Sequence, residues 1–368
     1  MRPPLIIGGG PAGATAAALI ATAGRAVMLV ERNAGPADKL CGDFLSGGAI
    51  AALHALGLDP LTIGAVPVRI IRLVNRHTVA QAPLPFPAMG LSRRSLDDAL
   101  LRLAEQRGAT VLRGQAVRGL DSTSSGFIAR TTSAGPISAD TVFLATGKHD
   151  LRDLGRPSRA DGLLGLKMYY GLEPDQRVAL HGCIELLLFR GGYAGLQLVD
   201  HDRAVLCLLL PAERYRRAGL RWDALMDALA EEVPLLSRRL AGAKPCLDRP
   251  LAISGTPYGH LHRSIRDTPP GLFRLGDQAC VVPSLAGDGM AIALHSAMAA
   301  TTTWLEGGSA AGYHTSFARQ AGAPMRFASL IHFACRTPAL QPMVAAACRA
   351  WPATLGLAAS LSRVARPA

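Results

Sequence analysis

The stretch Leu5-Ile6-Ile7-Gly8-Gly9-Gly10-Pro11-Ala12-Gly13 decides the fold. Its three apolar residues predict a short strand ending at Gly8, and its glycines match G-x-G-x-x-G. Ala14 to Ala23 is alanine-rich and predicts a helix. A second apolar run, Ala26 to Val30, ends in Glu31-Arg32. Strand, glycine turn, helix, strand and acidic residue follow in the order of a dinucleotide-binding βαβ unit. Gly8 serves the tight turn, Gly10 lets backbone approach a pyrophosphate, and Gly13 lets the helix pack close to the strand. Pro11 and Ala12 open the helix, whose free N–H groups and positive dipole end suit phosphate. Glu31 is placed to accept hydrogen bonds from a ribose. This unit alone suits NAD or FAD equally.

Far along the chain, Gly271 to Asp277 predicts a strand running into a Gly276-Asp277 turn. Pro283 follows, then Gly287-Asp288-Gly289-Met290 before a helix from Ala291 to Trp304. With these motifs the sequence resembles FAD-dependent oxidoreductases of the superfamily of aromatic-ring hydroxylases, geranylgeranyl reductases and flavin-dependent halogenases. The resemblance runs to about residue 310 and is firmest in the first 45 residues and in 271–290. It implies a glutathione reductase-like FAD fold. Asp277 would bind ribityl hydroxyls. Gly287, Gly289 and Met290 would begin a helix whose N–H groups face the flavin's pyrimidine edge, steadying negative charge there.

The same resemblance places Arg93, at the start of a helix running to Arg107, near the FAD phosphates, with Arg94 beside it. It lays the backbone at Ala116-Val117 against adenine, and it puts Arg32 beside Glu31 at the adenosine end. Cys41-Gly42 falls in the loop that reaches toward the flavin, so Cys41 reads either as an active-site thiol or as a small packed residue. The chain departs from the hydroxylases at Val142 to Gly147, where Thr146 replaces the aspartate that serves FAD and nicotinamide. NADH or NADPH as electron donor is thereby put in doubt. His149 and His295 are further candidates for acid-base work, against a structural role for each. No Trp-x-Trp-x-Ile-Pro stretch marks a halogenase.

Between these motifs the pattern changes. Val66 to Pro83 predicts a hairpin around Asn75-Arg76-His77. Strands are expected over 164–172, 178–189, 193–199 and 204–210, with a turn at Glu173-Pro174-Asp175. Short turns between successive strands imply an antiparallel sheet. The family stacks such a sheet over the flavin. Helices are expected from Trp222 to Glu232 and Leu235 to Leu240. Beyond Gly312 the chain reads as apolar helices cut by Pro324, Pro338, Pro342 and Pro352. This tail would cap the substrate space, or touch a membrane surface if the substrate is a lipid.

The expected architecture is α/β: a doubly wound FAD-binding domain (1–65, 90–163 and 250–310) with an inserted antiparallel substrate-binding sheet (66–89 and 164–249) and a C-terminal helical cap (311–368). The leading expectation is a monooxygenase that hydroxylates or epoxidises a hydrophobic or aromatic small molecule, free or carrier-bound. The alternatives are a geranylgeranyl reductase-like C=C reductase and a non-catalytic FAD carrier.

Composition supports a folded chain. Of 368 residues, 49% are hydrophobic and 18% charged, too apolar a balance for disorder. The net charge is +12, carried almost wholly by arginine, which suits phosphate and carboxylate. These arginines are scattered and not interleaved with aromatic residues, which argues against nucleic acid. Seven cysteines without a C-x-x-C read as reduced thiols in a cytoplasmic protein, and no metal ligand set is expected.

Overall fold

The computed structural model describes residues 2–152, 154–157, 162–201, 203–263 and 269–364. The opening unit forms as β1 (Leu5–Ile7), α1 (Pro11–Thr22) and β2 (Met28–Glu31). Pro11 occupies the first helical position, where its missing N–H costs nothing. β3 (Phe44–Leu45) and α2 (Gly47–Ala55) follow, then the hairpin β4 (Val66–Asn75) and β5 (Thr78–Gly90). α3 (Arg93–Gln106) leads to β6 (Thr110–Arg113). A small antiparallel meander comes next, β7 (Val117–Thr123), β8 (Gly126–Thr131) and β9 (Pro136–Ala139), before β10 (Val142–Leu144).

The middle of the chain holds β11 (Leu163–Gly171), α4 (Pro174–Leu180), β12 (Cys183–Phe189), β13 (Gly192–Val199) and β14 (Arg203–Pro211). Short helices α5 (Ala212–Arg217), α6 (Trp222–Glu232) and α7 (Pro234–Leu240) cover one face of its sheet, and β15 (Lys244–Pro245) and β16 (Leu251–Ser254) add edge strands. β17 (Leu272–Arg274) returns to the first sheet, and the chain ends in α8 (Gly289–Leu305), α9 (Ala310–Arg336), α10 (Gln341–Ala350) and α11 (Ala353–Leu361).

Two main sheets result. The parallel one runs β17-β10-β1-β2-β6. Its strands β1, β10 and β17 are buried and, Arg274 apart, apolar, as parallel strands covered on both faces must be. Alanine-rich α1 lies fully against it, with α3 and α8 packed on either side. The larger sheet runs β15-β11-β14-β13-β12-β4-β5-β3, with β16 paired to β11. All its neighbours are antiparallel except β4 and β12.

Three expectations need correction. Val178 to Leu180 is helix, not strand: Pro174 follows Glu173 as a first helical residue, and β12 starts only at Cys183. Pro324 does not end a helix; α9 runs through it for 27 residues. A proline inside a helix costs about 3 kcal/mol, and burial of Phe317, Ala321, Met325 and Ala328 in the main core offsets it. The substrate sheet also takes more chain than 66–89 and 164–249. Phe44–Leu45 and Leu251–Ser254 pair into it, and β5 continues to Gly90, because a flat edge strand is stabilised by any extended neighbour. Asp202, expected in the turn before β14, and Arg366, expected at the end of the helical tail, lie outside the described residues.

Candidate functional site

Helices α1 and α8 approach each other at Gly276, where a built Cβ would fall 3.3 Å from Ala12 and 3.6 Å from Ala293. Gly8 has φ +106, and a Cβ on it would meet the Ala145 carbonyl oxygen at 2.4 Å. This is the tight strand-to-helix crossing that glycine alone permits. α1 begins at Gly10 with no side-chain cap, and α8 begins at Asp288 with none either. Their first N–H groups are left for a ligand. Ala12 near the start of α1 touches Gly276, whose neighbour Asp277 shares a cavity with Gly289. Nothing lies within 4 Å of a Cβ built on Gly289, so the approach to α8 is open.

The start of α1 is lined by charge. Arg93 grips Asp97 with two hydrogen bonds of 2.7 and 2.9 Å, and its guanidinium lies 3.1 Å from a Cβ built on Gly10. Burial opposes the charge of Arg93, but Asp97 outweighs it and holds the guanidinium firmly protonated. Lys39 completes the group with a 2.8 Å bond to Asp97. Glu31 accepts from the Gly9 N–H at 2.6 Å and from Asn33. Arg32 sits beside it with its guanidinium on His149, 2.9 Å away. Val117 opens the edge strand of the meander, and the Gln115 N–H donates to the Glu31 carbonyl at 3.0 Å. Thus Gly8, Gly10, Pro11, Ala12, Gly13, Glu31, Arg32 and Arg93 cluster, with Val117 at the margin.

The start of α8 opens into a cavity of about 420 Å³. Cys41, Lys148, Asp277, Gly287, Gly289 and Met290 line one side of it. Gly287 has φ +64, and a Cβ there would fall 3.0 Å from the Phe44 ring, so this bend also needs glycine. Pro283 is buried just before the short turn that carries Ser284 and Leu285 into the wall. The large sheet supplies the roof through Ile71, Leu73, Ile184, Leu186 and Leu209. The inner faces of α9, α10 and α11 close the far side with Ile331, Val344 and Leu355 among others.

The loop carrying Cys41 is held from three directions. Lys167 donates to the Lys39 carbonyl at 2.9 Å, Lys148 to the Leu40 carbonyl at 3.1 Å, and Gln197 to the Gly42 carbonyl at 2.9 Å. Asp43 ends the loop in the left-handed region, φ +56. Its carboxylate accepts from Lys167 and from the Tyr169 hydroxyl, both at 2.7 Å. Burial raises the Asp43 pKa and the two donors hold the rise back. The Cys41 Sγ accepts from the Asp43 N–H at 3.4 Å. Burial works against the charge of Lys148, and Asp277 outweighs it. A cation therefore stands on the side of the cavity that Cys41 and Asp277 line.

Sequence reasoning missed this clamp. A single lysine within the apolar strand Leu166-Lys167-Met168 was its only signal. It also missed the polar cluster in the far wall. There the Tyr193 hydroxyl lies 2.7 Å from Ser284 Oγ and 3.1 Å from His332 Nδ1, and it accepts from the Leu285 N–H at 3.1 Å. His149 is tied to Arg32 outside the cavity. His295 is buried in α8 against Gly48, and neither histidine lines the cavity.

Burial, helped by Arg336, lowers the His332 pKa to about 4, and burial lowers that of His314 to about 3. The unfolded chain therefore binds more protons than the native one just below pH 6.5, the ordinary histidine value. Stability is complete above that pH and falls as pH drops toward 4, by about 1.4 kcal/mol per pH unit for each histidine. A Tm series from pH 7 to 5 checks this, and His314→Gln is expected to flatten the slope. An equal slope in the variant would contradict it.

Comparisons with known proteins agree with this geometry. Residues 2–142 match the family model described as an FAD binding domain. Over 115 residues the chain is 37% identical to a menaquinone reductase of Mycobacterium tuberculosis (strain H37Rv), covering 30% of this chain and 28% of that protein. The chain thus spans well under a third of that relative's length. It is 26% identical over 323 residues to a menaquinone reductase of Mycolicibacterium smegmatis, covering 83% and 76% of the two chains. Among solved structures, the flavin-dependent brominase Bmp2 superposes with a TM-score of 0.76 at 16% identity, covering 98% of this chain and 92% of that one. The myxobacterial chondrochloren halogenase CndH gives 0.73 at 20% identity, over 98% and 90%. The probable FAD-dependent monooxygenase pqsL of Pseudomonas aeruginosa gives 0.68 at 20% identity, over 98% and 96%. Residues 2–142 thus match an FAD binding domain, and the chain as a whole has the fold of these solved FAD-dependent halogenase and monooxygenase structures.

Proposed function

We propose that the chain is an FAD-dependent oxidoreductase acting on a hydrophobic substrate, and that the reaction is oxygenation. One observation carries the reading: the apolar cavity ends against the uncapped start of α8, between Asp277 and Cys41. FAD fits the residues present. Gly10 and Arg93 would take its pyrophosphate, Glu31 its ribose, Asp277 its ribityl chain, and Gly289-Met290 the pyrimidine edge of its ring. Bound there, the flavin supplies the redox chemistry.

The chain's own residues do the rest. Ile71, Leu73, Ile184 and Leu186 on the sheet hold an apolar substrate and exclude water. Lys167, Lys148 and Gln197 fix the Cys41 loop so that its thiol faces the cavity in one geometry. Lys148 offsets negative charge arising at the ring end. Tyr193 holds its proton within the far wall, because burial raises its pKa well above its ordinary value.

A second reading is favoured by the similarity to a menaquinone reductase of Mycolicibacterium smegmatis across 323 residues. It is hydride transfer to a C=C bond, with NADH or NADPH as the electron source in either case. Oxygen separates the two. Substrate-stimulated NAD(P)H oxidation that requires oxygen supports oxygenation, whereas product formed under strict anaerobiosis with dithionite selects the reductase. Cys41→Ala is expected to keep flavin bound while lowering turnover several-fold or changing the product. An unchanged rate and product profile would leave Cys41 with a packing role.

A further inference from the structure

We propose that the outer face of α9, α10 and α11 docks on an anionic lipid bilayer. Eleven large hydrophobic residues are strongly exposed among the described residues, and six of them fall between residues 330 and 361. They are Leu330, Phe333, Met343, Trp351, Leu357 and Leu361, exposed by 48 to 69%. Their spacing is helical. Arg326, Leu330 and Phe333 share a stripe at i, i+4 and i+7 on α9, Leu357 and Leu361 share one on α11, and Trp351 lies in the bend between α10 and α11. A cluster of this kind marks an interaction surface rather than ordinary scatter.

Charge selects the occupant. Residues 307–368 contain six arginines and no aspartate, glutamate or lysine. Half of the net charge of +12 therefore sits in the last sixth of the chain. Arg319, Arg326 and Arg349 are exposed on these helices. A tryptophan and leucines flanked by arginines, in a segment with no carboxylate side chain of its own, suit the headgroup layer of an anionic membrane. A second copy docking by a two-fold contact would set this acid-free surface against itself, arginine facing arginine. α10 and α11 meet at a bend of 115°, so they form a broken face that lies on a surface. No single helix among the described residues is long and apolar enough to cross a membrane.

The inner faces of the same helices line the cavity through Ile331, Cys335, Val344, Cys348, Leu355 and Ala359. One layer of helix therefore separates cavity from bilayer. The end of this layer is pinned beside α8: the Asp288 carboxylate accepts from Arg363 at 3.1 Å and from the Val364 N–H at 2.9 Å. Arg363 also stacks over Phe86, 4.6 Å from the ring centre. Docking would bring an apolar substrate to the cavity wall without passage through water.

The test is co-sedimentation of the full-length, flavin-loaded protein with vesicles of phosphatidylcholine alone or mixed equally with phosphatidylglycerol. Partition onto the mixed vesicles is expected to exceed that onto phosphatidylcholine by about tenfold or more and to fall as salt rises. Combined Phe333→Ser, Met343→Ser, Trp351→Ser and Leu357→Ser substitutions should cut partition at least about tenfold, with Tm and flavin content kept. Should that variant misfold, Arg326→Gln with Arg349→Gln is expected to reduce the preference for phosphatidylglycerol vesicles alone. Failure to bind mixed vesicles, or binding unaltered by both variants, overturns the proposal. So does a dimer that the serine variant dissociates while vesicle binding is absent. Docking is independent of the flavin reading: vesicle binding by a protein that never takes up flavin would sink the proposed function and leave the docking surface standing.

Discussion

Lys167→Met is expected to destabilise the protein by about 3–5 kcal/mol, the cost of leaving a buried charge without its partner. Lys167 is fully buried on β11 and joins Asp43, also fully buried, across the start of the cavity. One oxygen of the Asp43 carboxylate already has no hydrogen-bond partner, so the methionine variant would leave only the Tyr169 hydroxyl on this group. The Lys39 carbonyl would lose its donor too, loosening the Cys41 loop. Urea unfolding with constant m-value gives the number. Adding Asp43→Asn should recover much of the loss, because removing both charges avoids the unpaired one. A single variant within about 1 kcal/mol of the parent would show that the pair contributes little.

Gly13→Ala is expected to prevent accumulation of soluble protein. A Cβ at this position would stand 1.9 Å from the Gly8 carbonyl oxygen, which is backbone in the crossing itself. α1 has no room to retreat, since Ala14, Ala16, Ala17 and Ala18 on it are fully buried. Gly10→Val separates folding from binding. The nearest atom there is the end of the Arg93 side chain at 3.1 Å, which can move. That variant should fold with a near-parental Tm and lose its flavin, because the new side chain fills the approach of the pyrophosphate. The ratio of flavin to protein after purification reports the outcome. Parental flavin content in Gly10→Val would remove Gly10 from the phosphate site.

The parts legible in the sequence were those written in local order. Gly8 to Gly13 with Glu31 specify one unit, and Gly276 to Met290 specify the second helix start, because each acts through backbone geometry within a few residues. The antiparallel sheet was readable from its alternating apolar runs and turns. Pairings across long separations were not. Asp43 meets Lys167 124 residues away, Tyr193 meets His332 139 away, and Arg363 meets Asp288 75 away. Local signals also failed where tertiary packing overruled them. Pro324 promised a break that the buried face of α9 suppresses, and Val178 looked like strand until Pro174 started a helix before it. Cys41 was singled out by the resemblance of the Cys41-Gly42 pair to a family loop, yet what fixes that loop comes from β11, β13 and the residue after Gly147.

The most direct test of the central claim is a crystal structure of the protein incubated with FAD. The account predicts one extended cofactor, with its pyrophosphate at the start of α1 beside Gly10 and Arg93, its ribityl chain at Asp277 and its ring against Gly289 and Met290. Protein that stays colourless after incubation, or density for a nucleotide at α1 with nothing reaching α8, would contradict it.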